Sequence, residues 1–149
     1  MKALVQRVGR ARVTVGGETV GEIGAGMLVL LGVATEDGES DADYIAGKLA
    51  RLRIFDDSRG RMNLDISRTG GGILLVSQFT LMAETRRGNR PGFTGAAEPR
   101  QAVALYELVA GSLRSDGVPV STGEFGATMS VELVNEGPVT IMLDSRDRG

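Results

Sequence analysis

An uninterrupted apolar run between two glycines is the sequence feature that most limits the fold of this chain. Residues 27–31 stand between Gly26 and Gly32 without a single polar side chain. A strand with one wet face alternates apolar and polar residues, whereas a short continuous run indicates a strand covered on both faces. The run is far shorter than the roughly 20 residues that a membrane-spanning helix needs. We therefore expect a buried strand here and no membrane partner.

Other apolar patterns predict further strands and two helices. Alternation and β-branched residues predict strands near residues 3–8, 11–15 and 18–23, a further apolar run predicts a strand at 73–77, and two late strands are expected near 129–134 and 139–143. Helical spacing predicts amphipathic helices at residues 41–53 and 98–115, and Ser40 with Asp43 resembles a capping box before the first of them. Strands and helices without regular βαβ alternation indicate an α+β fold. We expect a largely antiparallel or mixed, barrel-like sheet.

The length of 149 residues fits one domain, which we expect to span residues 1–149 with a frayed polar tail at 144–149. The absence of cysteine excludes disulfides, and the charge within the first apolar stretch is unlike a signal peptide. These features predict a cytoplasmic protein.

The chain has no histidine and no cysteine, and this narrows its chemistry. A Ser-His-Asp triad, a cysteine nucleophile and a Cys/His zinc site each need a residue type that is missing. The usual general base near neutral pH is also missing. Any reaction must therefore proceed by positioning, by backbone hydrogen bonds, or by groups that the substrate brings. No metal-ligand spacing is present, and we expect neither a metal nor another cofactor.

Polar residues at the end of an apolar strand mark the candidate site. Ser77, Gln78 and Thr80 directly follow the run at residues 73–76, with Phe79 among them. A hydroxyl or amide at the end of a buried run costs free energy unless something binds it. Such a cluster indicates a binding or catalytic site. The alternative is a non-catalytic ligand-binding or assembly domain, in which these side chains satisfy one another beneath a loop.

Two charged segments have alternative interpretations. Arg86, Arg87 and Arg90, followed by Phe93, form the only concentrated basic segment of a chain with net charge −2. That net charge argues against a protein that coats nucleic acid, but the segment could contact phosphates at one end of an RNA or form a solvated loop. Asp56 and Asp57 are typical of a turn. A carboxylate-based RNA hydrolase is the rival interpretation of that pair.

Several motifs together resemble the D-aminoacyl-tRNA deacylase family over residues 3–143. The residues that carry the resemblance are Gln6-Arg7-Val8, Gly24-Ala25-Gly26 before an apolar strand, Met62-Asn63-Leu64, Ser77-Gln78-Phe79-Thr80-Leu81, Arg90-Pro91, Phe93, Asn135 and Gly137-Pro138-Val139-Thr140. The serine-to-threonine motif and the Gly-Pro motif are the most specific of these.

The resemblance implies a homodimeric, RNA-binding hydrolase that acts in proofreading. Its substrate would be a tRNA whose 3′-terminal adenosine carries a D-amino acid, or glycine mischarged on alanine tRNA, and DNA would not be a partner. The resemblance also implies that Gly137 and Pro138, joined by a cis peptide, enter the pocket of the other subunit and act as a chirality filter against L-aminoacyl-tRNA. The site would therefore lie at the subunit interface.

The same resemblance assigns catalysis to Ser77, Gln78, Phe79 and Thr80, and we extend it with two hypotheses. Backbone N–H groups around Phe79 and Thr80 would hold the developing oxyanion, while the ribose 2′-hydroxyl assists the attack. The alternative is Thr80 as a covalent nucleophile, although the chain offers it no obvious base. The basic segment and Phe93 are the expected tRNA contacts.

Overall fold

The structure is a computed structural model and describes residues 1–148 of the chain. Its strands are β1 (Lys2–Val15), β2 (Glu18–Ile23), β3 (Gly26–Gly32), β4 (Phe55–Asp56), β5 (Met62–Leu64), β6 (Gly72–Ser77), β7 (Val120–Thr122) and β8 (Ser130–Asp144). Its α-helices are α1 (Glu39–Arg51) and α2 (Pro99–Ser115), and short 3₁₀ helices lie at Ile66–Arg68 and Phe79–Met82. The predicted α+β class is confirmed.

Six of the strands form one mixed sheet that nearly closes into a barrel. Their order is β2-β1-β3-β6-β7, with β8 paired to β1 as well. β1 runs antiparallel to β2, β3 and β8, whereas β6 runs parallel to both β3 and β7. The Ser121 hydroxyl donates to the Glu22 carbonyl at 3.2 Å and links β7 to β2. The predicted barrel-like, mixed sheet is therefore confirmed.

The central strands β3 and β6 are covered on both faces. Met27, Val29 and Leu31 pack with the helices in the larger core, while Leu28 faces a smaller core inside the sheet. In β6, residues 73 and 75 likewise join the larger core, and residues 74 and 76 join the smaller one. Because neighbouring side chains of a strand point to opposite faces, both faces must be apolar here. This arrangement explains the continuous apolar run.

The two helices pack against each other and against the sheet. α2 begins within one residue of its predicted start, with Pro99 in the first turn, where its missing N–H costs nothing. The predicted start of α1 is wrong, because Gly38 is the N-terminal cap and Ser40 lies within the first turn. The Asp41 carboxylate, not that of Asp43, accepts the Gly38 N–H at 2.9 Å.

Other predicted boundaries also need correction. β1 and β8 are each one long strand, although the sequence pattern divided each into two. The frayed tail cannot begin at residue 144, because Asp144 ends β8 and Ser145 is buried, with its N–H donating to the Met1 carbonyl at 2.9 Å. Gly149 lies outside the described residues. No helix within residues 1–148 has the length and apolar character needed to cross a membrane.

Tyr106 makes a pH-dependent contribution to stability that can be measured. Its side chain is buried on α2, and its hydroxyl donates to the Leu75 carbonyl at 2.6 Å. Burial raises the pKa of Tyr106 to about 12. An unfolded tyrosine has a pKa of about 10, so folding favours the neutral phenol. Its contribution to the free energy of unfolding is fully present below pH 10 and is lost as pH rises from about 10 to about 12.

We expect denaturant unfolding between pH 8 and pH 11 to show this loss, with a slope of at most about 1.4 kcal/mol per pH unit from this phenol. Tyr106→Phe should be less stable at pH 8, and its stability should fall less steeply above pH 10. Tyr44→Phe, which removes a phenol from α1, is the matched control. An equally steep fall in Tyr106→Phe and the parent would contradict the assignment.

Candidate active site

The predicted site residues lie where β6 ends and the chain turns away from the sheet. Ser77 is the last residue of β6, and the Gln78 N–H donates to the Leu31 carbonyl of β3 at 2.8 Å. The 3₁₀ helix Phe79–Met82, here called the Phe79 turn, follows at once. A Cβ on Gly32 would come within 2.9 Å of Leu81 Cβ and 3.0 Å of the Gln78 carbonyl oxygen. Glycine at position 32 therefore allows the Phe79 turn to pack against the end of β3.

The Phe79 turn exposes two adjacent backbone donors. Within residues 1–148, the N–H groups of Phe79 and Thr80 donate to no protein acceptor. The first N–H groups of a helical turn have no acceptor inside the turn. The side-chain amide of Gln78 donates to the Thr80 hydroxyl. The turn therefore has two adjacent N–H groups without a protein acceptor, while the Thr80 hydroxyl already accepts a hydrogen bond.

A cavity of 680 Å³ opens beside the Phe79 turn. Ser77, Gln78 and Phe79 line one part of it, so the structure brings three of the predicted catalytic residues to one wall; Thr80 is exposed next to them. Sequence reasoning missed other lining residues, which include Phe125, Gly126 and Met129 between β7 and β8. These are apolar or small residues on an irregular segment, and no sequence signal marked them.

An aromatic pair stands at the cavity. Phe79 is 59% exposed, and its ring meets the ring of Phe93 edge to face, with 5.0 Å between the ring centroids. Both residues also line the cavity. Aromatic rings exposed beside a cavity are suited to stacking on nucleobases.

The basic segment is held beside this aromatic pair. Glu84 and Gly92 exchange two backbone hydrogen bonds, of 2.8 and 2.9 Å, which close a loop just after the Phe79 turn and just before Phe93. The loop presents the exposed side chains of Arg86, Arg87 and Arg90. The four residues predicted to contact tRNA thus lie in one continuous stretch next to the cavity.

The Gly-Pro motif lies in a bulge of β8. Gln6 of β1 pairs with Thr140 and Val8 pairs with Asn135, so Arg7 alone faces residues 136–139. These four residues, here called the Gly-Pro loop, leave the ladder as extra residues in a β-bulge do. The Gly137–Pro138 peptide is cis, and Gly137 has a φ of +131°. Both residues are exposed in the single chain.

Arg7 braces one end of the Gly-Pro loop. Its Nε donates to the Glu136 carbonyl at 3.1 Å, and its Nη1 donates to the Ile54 carbonyl at 2.7 Å. One guanidinium therefore ties the loop to the segment that precedes β4. The sequence motif contained Arg7, but nothing in the sequence predicted this contact.

The single chain does not bring the Gly-Pro loop to the Phe79 turn. Among the described residues, those that line the cavity do not include Gly137 or Pro138. Within one chain the Gly-Pro loop therefore does not form part of the cavity wall, and Phe79, Thr80, Gly137 and Pro138 are all exposed.

The carboxylates at residues 56 and 57 serve structural roles. The Asp57 carboxylate accepts the N–H groups of Arg61 and Arg59 at 3.1 and 2.8 Å, and these hydrogen bonds lower the pKa of Asp57. Asp56 lies 3.4 Å from the Arg7 guanidinium. Within residues 1–148 no group of three or more acidic side chains is arranged to hold a metal ion. The prediction of a turn role is met by Asp57 alone, because Asp56 is the last residue of β4 and faces Arg7.

Comparison with known proteins places the chain in a family. The family model described as D-Tyr-tRNA(Tyr) deacylase matches residues 4–144. The chain belongs to the D-aminoacyl-tRNA deacylase family of hydrolases. The D-aminoacyl-tRNA deacylase of Anaeromyxobacter dehalogenans is 60% identical over 146 residues, which cover 98% of each chain. That of Symbiobacterium thermophilum is 58% identical over 145 residues, which cover 97% of this chain and 96% of the relative.

A solved structure has the same fold as this chain. The protein described as c-Myc DNA Unwinding Element Binding Protein is 42% identical, with a TM-score of 0.92 over 97% of this chain and 98% of that one. The D-aminoacyl-tRNA deacylase resemblance found in the sequence is confirmed by the family model and the curated relatives, and so is the prediction of an enzyme.

Proposed function

We propose that this chain hydrolyses the ester between a D-amino acid and the 3′-terminal adenosine of tRNA, and that it spares L-aminoacyl-tRNA. Glycine mischarged on alanine tRNA would be a second substrate. The observation that carries the proposal is the Phe79 turn, which offers two unpaired N–H groups beside a cavity in a chain of the deacylase family. A tRNA substrate also implies work in the cytoplasm, where tRNA is charged.

The cavity is suited to the terminal adenosine. Its volume of 680 Å³ lies within the range of about 300 to 1,000 Å³ that is usual for small-ligand pockets. Phe79, Phe93 and Phe125 supply aromatic surface, and stacking on such rings is how proteins commonly hold an unpaired base. The ester would then lie toward Ser77 and the Phe79 turn.

Discrimination between D- and L-amino acids depends on which substituent of the α-carbon contacts the protein. D- and L-amino acids exchange the positions of hydrogen and side chain at one carbon, so a general filter must hold the amino group and leave no room for the L side chain. A main-chain segment does this for any side chain, since it rejects by collision and accepts the ammonium with a carbonyl. Glycine has no side chain and would pass.

The Gly-Pro loop is our candidate for that filter, provided that a second copy of the chain supplies it. Gly137 and Pro138 are exposed and are not part of the cavity wall of their own chain. We therefore propose a homodimer in which the loop of one protomer enters the cavity of its partner. Glycine permits close approach and proline fixes φ, which suits a rigid main-chain wedge.

Hydrolysis of an activated ester needs modest help. Water attacks the carbonyl carbon and gives up a proton, and the carbonyl oxygen becomes the oxyanion. When the oxyanion collapses, the C–O bond to the ribose breaks and the leaving 3′-oxygen takes up a proton, which yields the free amino acid and the 3′-hydroxyl. The N–H groups of Phe79 and Thr80 would hold the oxyanion, and one such donor is worth about 10² to 10³ in rate. The neighbouring 2′-hydroxyl would assist proton transfer.

The competing mechanism makes Thr80 a covalent nucleophile. The Thr80 hydroxyl receives a hydrogen bond from the Gln78 amide, which is a donor at that contact and cannot take a proton. A nucleophilic hydroxyl needs a base within hydrogen-bond reach, and the chain contains no histidine. These contacts favour substrate-assisted hydrolysis over the covalent route.

The paired hydrolysis of D-tyrosyl-tRNA and L-tyrosyl-tRNA tests the proposal. We expect release of free D-tyrosine at a rate well above the spontaneous one, no enzymatic release of L-tyrosine, and no effect of added chelator. Glycyl-tRNA is the third substrate and should be hydrolysed. If the protein binds both tyrosyl-tRNAs but hydrolyses neither, the non-catalytic binding domain is the better interpretation. Loss of hydrolysis with chelator would instead indicate metal-dependent chemistry.

Neutralising the basic loop tests its proposed contact with tRNA. We expect the triple variant Arg86→Gln, Arg87→Gln and Arg90→Gln to bind tRNA more weakly. The log–log slope of its salt dependence should fall by about 0.7 to 0.9 for each phosphate that the loop no longer neutralises. The ratio of D to L hydrolysis should not change, because the loop does not carry the filter. Arg51→Gln, which neutralises an exposed arginine on α1, is the control. An unchanged salt slope in the triple variant would remove the loop from the interface.

A further inference from the structure

We propose that Asn135 is a positioning residue that fixes the Gly-Pro loop and thereby sets discrimination between D and L substrates; this inference rests on the proposed function of the loop as the filter. Asn135 stands at one base of the loop and Thr140 at the other. Asn135 is half-buried.

The Asn135 amide closes the base of the loop with both of its polar atoms. Its Oδ1 accepts the Val139 N–H at 2.9 Å. Its Nδ2 donates to the Thr140 hydroxyl at 3.0 Å and lies 3.4 Å from the Val139 carbonyl oxygen. These bonds cross from the first base of the loop to the second. The side chain therefore replaces ladder hydrogen bonds that the bulge has removed.

The two ends of the loop are held by different side chains. The Arg7 side chain donates to the Glu136 carbonyl, and the Asn135 side chain accepts the Val139 N–H. Gly137 and Pro138 lie between these two anchors. A Cβ on Gly137 would come within 3.0 Å of Arg7 Nη2, so the guanidinium packs directly against this part of the loop. Without Asn135 the loop would keep one anchor and could pivot about it.

We expect a loop that pivots to change the preference for D over L substrates more than the rate of hydrolysis. The groups proposed for hydrolysis are on the Phe79 turn, whereas the Asn135 side chain forms its hydrogen bonds with Val139 and Thr140. Rejection of an L side chain depends on a wall that does not yield. We therefore expect the loss of Asn135 to increase hydrolysis of L-aminoacyl-tRNA relative to D-aminoacyl-tRNA. A side chain that only stabilised the fold would lower both rates together.

The test compares a variant that removes both polar atoms of the Asn135 amide with one that keeps only its hydrogen-bond acceptor. Asn135→Leu has a similar volume but no polar atom, whereas Asn135→Asp keeps the acceptor for the Val139 N–H. Glu132→Gln is the control on the same strand, since Glu132 bonds to Arg12 and not to the loop. For each variant, kcat/KM is measured with D-tyrosyl-tRNA and L-tyrosyl-tRNA, together with the thermal midpoint of unfolding.

We expect the D/L ratio to fall by about tenfold or more in Asn135→Leu, because small misplacement of a positioning group has effects of up to about 10²-fold. Asn135→Asp should restore most of the ratio, and Glu132→Gln should keep all of it. If Asn135→Leu does not fold, Asn135→Ser takes its place, since the serine hydroxyl is too short to span the loop.

The outcomes separate this inference from the proposed function. A parent protein that does not discriminate between D and L substrates refutes the proposed function itself. A discriminating parent with an unchanged ratio in folded Asn135→Leu or Asn135→Ser overturns the role of Asn135 alone. Parallel loss of both activities, without a change in their ratio, also overturns it, because that result describes a structural residue.

Discussion

Gly137→Ala is expected to remove most of the discrimination between D- and L-aminoacyl-tRNA. Gly137 has a φ of +131°, which side chains of L-residues rarely adopt. An added Cβ would lie 2.7 Å from Val139 Cγ2, 3.0 Å from the Val139 nitrogen and 3.0 Å from Arg7 Nη2. The main chain must therefore move. Because a displacement of about 1 Å can cost about 10²-fold, we expect the D/L ratio of kcat/KM to fall by about that factor.

A matched glycine keeps this experiment interpretable. Gly17, in the turn between β1 and β2, also has a positive φ, but a Cβ there would meet nothing within 4 Å. Gly17→Ala should therefore lower stability by roughly 1–2 kcal/mol through backbone strain and leave the D/L ratio unchanged. Unaltered discrimination in a folded Gly137→Ala protein would falsify the assignment of the Gly-Pro loop as the filter.

The parts of the fold that the sequence predicted are those in which burial is visible in the local pattern. The sequences of β3 and β6 are continuous apolar runs because both faces of these strands are covered. The sequence of α2 predicts a helix because its apolar residues lie on one face. The parallel pairing of β6 with β3 and β7 could not be read in this way. Pairing direction depends on the path of the chain between strands, which leaves no periodic signal within them.

The conformation of the Gly-Pro loop could not be predicted from the local sequence pattern either. The sequence shows two strand patterns interrupted by Gly137 and Pro138, whereas the structure has one strand with a bulge. The bulge is defined by the residues of β1 that pair on either side of it. Its braces, Arg7 and Asn135, act through contacts with the backbone of the loop, and residue types alone do not reveal such contacts.

The polar residues of the candidate site could be predicted from the sequence, whereas its apolar residues could not. Ser77, Gln78 and Thr80 stood out because polar groups at the end of an apolar run need partners. Phe125 and Met129 line the same cavity but carry no such signal, because apolar residues on a connecting segment are common for many reasons. The unpaired N–H groups of the Phe79 turn became visible only once the hydrogen bonds of that turn were known.

Hydrolysis and selection, as proposed, reside on different elements of the enzyme. The Phe79 turn carries the groups suited to hydrolysis, and the Gly-Pro loop carries those suited to selection, with different neighbours and different braces. Variants of one element should therefore change the rate for every accepted substrate, and variants of the other should change which substrates are accepted. The mechanism of hydrolysis can then be tested with a D-aminoacyl substrate alone.

Removing the 2′-hydroxyl of the terminal adenosine is expected to slow hydrolysis of D-tyrosyl-tRNA by about 10²-fold or more, the usual contribution of a positioned proton-transfer group. Thr80→Ala should retain turnover within about tenfold, since the proposed donor at this position is a backbone N–H that alanine keeps. Single-turnover rates with the ribose and 2′-deoxyribose substrates measure both effects. Thr80→Ser is the control that keeps a hydroxyl at the same position.

The covalent mechanism predicts the reverse pattern. A nucleophilic Thr80 would make Thr80→Ala nearly inactive, Thr80→Ser would recover activity, and the 2′-deoxy substrate would be cleaved at close to the normal rate. The Gln78 amide donates to the Thr80 hydroxyl and cannot remove its proton, so the covalent route would also need a base from the substrate or solvent. Because substrate assistance and covalent catalysis move the two measurements in opposite directions, one pair of rates distinguishes them without any assumption about how the tRNA binds.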